Sequence, residues 1–107
     1  MKNLIKQLPV GLTLAGKTHK EFEIREPLVD DMVEAEKDAD PRQIHSFNVA
    51  LLSRIIVRMG DFDGIVTASM LKKMKRADYN AMIMAMLEIE DMGEDQSGVE
   101  EASTTTS

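Results

Sequence analysis

The chain has 107 residues, enough for one small domain and too few for two sizeable cores. With 43% hydrophobic and 30% charged residues, only 4% aromatics and no Trp, its core must be filled by Leu, Ile, Val and a share of nine Met, a deformable set. The lack of Cys excludes a disulfide framework, a thiolate nucleophile and a cysteine metal cage, and a net charge of −6 weighs against a phosphate backbone as partner.

The charge is unevenly spread. Residues 1–20 carry four Lys and no acid, residues 21–40 carry nine acids against Arg25 and Lys37, and residues 93–107 carry four acids. The one concentration of bases is Lys72, Lys73, Lys75 and Arg76, with no aromatic residue between them. It reads as a solvated helix end or a patch for an acidic partner rather than a nucleic-acid site. No run approaches the roughly 18 apolar residues of a membrane span. The opening MKNLIKQLPVGL has no apolar stretch long enough for a signal peptide, so a cytosolic protein is expected.

Taken in order, Leu12 and Leu14, then Phe22 and Ile24, alternate with polar residues on either side of a loop containing Gly16. Period two on both arms predicts a β-hairpin over 10–26, with Pro9 confining the chain before Val10 to an edge or lead-in. The Leu12, Leu14, Phe22 and Ile24 face must be covered, because a lone hairpin is marginal in water. Pro27 ends the second strand, and Asp30 or Asp31 is placed to cap a short helix over 29–38 that turns Met32, Val33 and Ala35 inward. Asp30, Glu34 and Asp38 repel at i,i+4, so this helix depends on its contacts.

After the Asp40-Pro41 break, Ile44, Phe47, Leu51, Leu52, Ile55, Ile56 and Met59 recur at three and four, predicting the best-defined helix over 42–59 with Gly60 as its left-handed cap. Thr67 or Ser69 opens a short helix over 68–75. Asp78 caps a last one over 78–91. From Gly93 the composition turns polar and acidic, and 93–107 reads as a disordered tail on a single domain spanning 1–92. The expected fold class is α+β and mainly helical: an N-terminal hairpin, then three or four short helices.

Chemistry finds little support. Asp61-Phe62-Asp63-Gly64 resembles part of a calcium loop, but Met59 and Met70 stand where further ligands belong, which leaves a turn-rich loop. His19 and His45 lack companions for a zinc site and read as exposed polar residues. Met82, Met84 and Met86 point in different directions on a helix, which argues against copper ligation. No pair among the carboxylates of 21–40 is singled out for acid and base work, and no nucleophile elbow or phosphate-binding glycine pattern is present. Neither catalysis nor a cofactor is expected.

The stretch from Ala77 to Met92 stands out instead: Tyr79, Met82, Ile83 and Met86 share a face, yet Met84 makes the other side apolar too. Either this is a buried core helix or its surplus face meets another chain.

The order of parts, with EFEIREP at Glu21–Pro27, DDMVEAEK at Asp30–Lys37 and ADYNAM at Ala77–Met82, resembles the small tail assembly chaperones of contractile-tailed phages, the Mu-like and P2-like group. The matching positions are Ile24, Arg25, Glu26 and Pro27, then Asp30 or Asp31, then Asp78 and Tyr79, within a likeness covering Leu8 to Met92. The resemblance implies a non-catalytic protein of the host cytoplasm that binds the tape measure protein, with the tail tube protein as a further candidate partner, and helps tail tube assembly. It leaves a virion-retained tail or baseplate subunit as the alternative. On this reading Tyr79, Met82, Ile83 and Met86 form an apolar partner-binding groove, Glu34 and Glu36 add charge complementarity, and a homo-oligomer is expected without client.

Overall fold

A computed structural model describes residues 3–101, with side chains described from 3 to 92. The fold is α+β: an N-terminal hairpin followed by helices. Strands β1 (Leu4–Leu14) and β2 (Lys17–Ile24) form the hairpin, and helices α1 (Val29–Asp38) and α2 (Ile44–Ile55) follow. Strand β3 (Ile56–Met59) then joins the far side of β2, and α3 (Ala68–Leu71) and α4 (Arg76–Glu101) close the chain. The three strands are antiparallel in the order β1-β2-β3.

The hairpin turns through Ala15 and Gly16, both at positive φ (53° and 79°), so the two-residue loop matches the twist of its strands. Leu12, Leu14, Phe22 and Ile24 are all buried, as the alternation predicts. The first strand starts earlier than predicted, at Leu4, and it contains a wide irregularity. Gln7 pairs with Glu21 and Leu12 with His19, so Leu8 to Gly11 stand opposite Lys20 alone. Pro9 sits in this bulge on the sheet's edge, where its missing N–H costs no ladder bond. Gly11 holds φ +111°, and a Cβ there would lie 2.7 Å from Thr18 Cγ2.

The predicted helix over 42–59 is two elements. Helix α2 ends at Ile55, and Ile56–Met59 is a strand whose Arg58 reaches Glu21 and Glu23 across β2 at 3.0 and 3.2 Å. The run Ile55-Ile56-Val57 is β-branched and favours the extended state once a strand edge is present to pair with. Gly60 does adopt left-handed geometry (φ 55°), but it ends β3 rather than a helix, and its bare Cα lies against the His19 ring. His19 is therefore buried, contrary to its expected exposure.

Helix α3 is shorter than predicted and is capped by Thr67 Oγ1, which accepts the Met70 N–H at 3.3 Å. The last helix begins at Arg76, and its backbone is described as far as Glu101. The polar tail expected over 93–107 lies outside the residues whose side chains are described, and 102–107 lie outside the described residues altogether. Met82, Ala85, Met86 and Ile89 recur at i, i+3, i+4 and i+7, are all buried, and form the inner stripe of a helix that packs on β1. That helix supplies the cover the hairpin face requires.

Helix α1 packs on α2 through Ala35 and Asp31. Met32 and Val33 face outward instead of inward, at 44% and 46% exposure, because Asp31 must turn in to meet two arginines and the turn of the helix then carries its neighbours out. Ile44 is exposed as well, leaving Phe47, Leu51, Leu52 and Ile55 as the predicted α2 stripe that reaches the core.

Candidate functional site

Arg25, Asp31 and Asp78 are fasteners of the fold. The Arg25 guanidinium donates to both carboxylate oxygens of Asp31 at 2.7 and 2.8 Å, Leu28 N–H donates at 2.8 Å, and Arg54 Nε at 3.2 Å. This knot ties the end of β2, the start of α1 and the last turn of α2 together. Leu28 holds the N-cap position, so Asp31 acts from the third helical residue, as the acidic half of a capping box does. The Arg25 fork, aided by Leu28 N–H and opposed by burial, holds Asp31 well below the usual carboxylate range.

Asp78 behaves similarly. It is fully buried, and instead of capping its own helix it accepts Val10 N–H at 2.8 Å and Gly11 N–H at 3.0 Å. One carboxylate thus satisfies two donors that the β1 bulge removes from the ladder.

The residues predicted to bind a partner are not brought into one site. Met82 and Met86 are core residues and Ile83 is half-buried against that core, so a groove built on them has no open face. Met84 and Leu87 are the α4 residues that point out, at 65% and 52% exposure. On α1, Glu34 pairs with Lys37 at 3.0 Å, while Glu36 is exposed.

Tyr79 does line a concave surface. A cleft of about 540 Å³ opens between α2, the turn after α3 and the start of α4, with Val49, Leu71 and Met74 contributing apolar wall and Lys72 and Arg76 contributing charge. Tyr79 Oη and His45 Nδ1 lie 2.7 Å apart, and Asn48 Nδ2 donates to Oη at 3.3 Å. No carboxylate lines the cleft. Among the described residues, Lys6, Lys17, Arg25, Lys37, Arg42, Arg54 and Arg58 each pair with an acid, whereas Lys20 and the clustered Lys72, Lys73, Lys75 and Arg76 do not.

A smaller cleft of about 240 Å³ lies beside β3, where the one charged residue in its lining, Arg58, is already engaged by Glu21 and Glu23. Among the described residues no three metal-ligating side chains converge, and no helix is long and apolar enough to cross a membrane. The basic cluster was visible in the sequence. Its junction with His45 and Val49 was not, since it is made by packing across some thirty residues of chain. Family models, curated proteins and solved structures yield no match to the chain.

Proposed function

We propose that the chain is a non-catalytic assembly factor of the tail assembly chaperone kind, acting in a host cytoplasm, whose cleft between α2 and α4 receives an acidic amphipathic segment of a tape measure protein. The observation that carries this reading is the unpaired cationic rim around an apolar wall, in a molecule whose other ion pairs are made internally. Uncompensated like charges repel one another, and an arriving carboxylate relieves that repulsion while steering encounter. The cleft's size falls within the range of roughly 300–1,000 Å³ in which proteins hold ligands. A helix laid along it would place apolar side chains on Met74 and Tyr79, the partly exposed apolar members of its lining, and acids beside Lys72 and Arg76.

The reading is tested by co-expressing the chain with the tape measure protein of the same genome. The intact chain keeps that protein soluble and co-purifies with it, and K72E/R76E loses both effects while keeping its own fold by circular dichroism. Capture undiminished in K72E/R76E removes the cleft from the mechanism. An abundant peptide of this chain in purified particles moves it to the virion-subunit class.

A further inference from the structure

The molecule carries an unpartnered surface whose chemistry complements its own cleft. On α1, Val29, Met32, Val33 and Glu36 fall at i, i+3, i+4 and i+7 and share the outward face, with Val29 at 75% exposure and Leu28 beside it also exposed. Among the described residues neither Glu36 nor Asp38 has a basic partner, and both stand near the C-terminal end of α1, where the helix dipole disfavours anions. An exposed helix face that is both apolar and acidic is the ligand chemistry the cleft selects. Among the other exposed apolar residues, the α4 pair Met84 and Leu87 is flanked by Glu88, whose charge Lys6 already takes at 3.1 Å.

The two surfaces of one molecule cannot meet. Arg54, which ties α1 to α2 through Asp31, lies nine residues after His45 and five after Val49, and at about 100° per residue that is about 180° and about 140° round α2 from these two cleft residues.

We propose that, without client, the outward α1 face of one copy docks in the cleft of a second copy, Glu36 answering Lys72 and Arg76 at the contact while Asp38, on the other side of α1, adds its charge from a distance. This rests on the cleft being a docking site for acidic helices, and it adds that self-association and client capture compete for the same surface. The contact is heterologous, so an open chain of copies keeps one free cleft at one end and one free α1 at the other until a ring closes.

Sedimentation velocity over rising concentration tests the proposal with two full-length variants. The wild type associates, whereas K72E/R76E and E36K/D38K each remain monomeric. Mixed in equal amounts, the two variants associate again, because the intact α1 of the first fits the intact cleft of the second and the two reversed surfaces are themselves opposite in charge. All four substituted side chains are exposed, and circular dichroism checks that each variant folds. A wild type that stays monomeric, an E36K/D38K variant that still associates, or a mixture that fails to associate overturns the proposal. Client capture separates this failure from that of the cleft reading: E36K/D38K retains the tape measure protein, and K72E/R76E loses it, whenever the cleft reading alone survives.

Discussion

Two buried carboxylates fasten this small domain, and they do so in different ways. Asp78 serves backbone: Val10 and Gly11 have no ladder partner, and both donate to it. Asp78→Asn keeps the shape but offers a neutral oxygen to one donor and an amide to the other, at an expected cost of about 2–3 kcal/mol. A urea midpoint unchanged in that variant would show that the bulge is satisfied by other means. Asp31 serves side chains, and its stability contribution depends on pH. Its folded-state pKa is depressed by Arg25, so as pH falls the unfolded chain takes up a proton first. The stabilisation is therefore full above the ordinary carboxylate value, about 4, and is lost as pH falls from there toward the folded-state value. Asp31→Asn should cost about 2–3 kcal/mol at neutral pH, and the midpoints of variant and wild type should converge in acid. A gap that persists undiminished at low pH would assign the cost to packing instead of charge.

Among elements, α4 carries the strongest separation of roles. Met82 is fully buried and Met84 is mostly exposed two residues on. Met82→Ser leaves a cavity and a poorly solvated hydroxyl and should cost about 3–4 kcal/mol, while Met84→Ser should stay within about 0.5 kcal/mol of wild type. Equal costs from thermal unfolding would contradict the orientation of the helix. The composition of Ala77–Met92 made this stretch conspicuous without revealing its direction, because domain size alone suggested that its apolar surface exceeded what one core could use. The hairpin's own need for a cover decides the matter. Hairpin alternation is local and was legible, as was the need to bury Leu12, Leu14, Phe22 and Ile24. The change from α2 to β3 was not: Ile56 and Met59 fit a helical stripe as well as a strand, and only pairing with Ile24 and Phe22 distinguishes the two. The inward turn of Met32 and Val33 failed for a related reason, since Asp31's partners Arg25 and Arg54 are supplied by other elements.

For the whole molecule, the distribution of charge separates two modes of the proposed client capture. The chain is acidic overall, at −6, yet the cleft rim is basic and unpaired, so a client segment attracted to the rim must approach through a repulsive surrounding field. Salt weakens both influences, with a Debye length near 10 Å at about 0.1 M. The rim charges lie within contact distance of a docked acid and the other charges lie farther off. Added salt therefore removes the distant repulsion first and weakens the exposed rim pairs only as the Debye length shrinks toward contact distance. Once that repulsion is screened, capture of the tape measure protein by the immobilised chain should fall as sodium chloride rises toward about 0.5 M, and K72E/R76E should flatten that fall as well as lower affinity. If apolar contact with Met74 and Tyr79 carried the binding alone, salt would leave capture unchanged, and sulfate, which strengthens burial of apolar surface, would raise it. A wild-type salt profile identical to that of K72E/R76E would mean that the cationic rim serves solubility and takes no part in recognition.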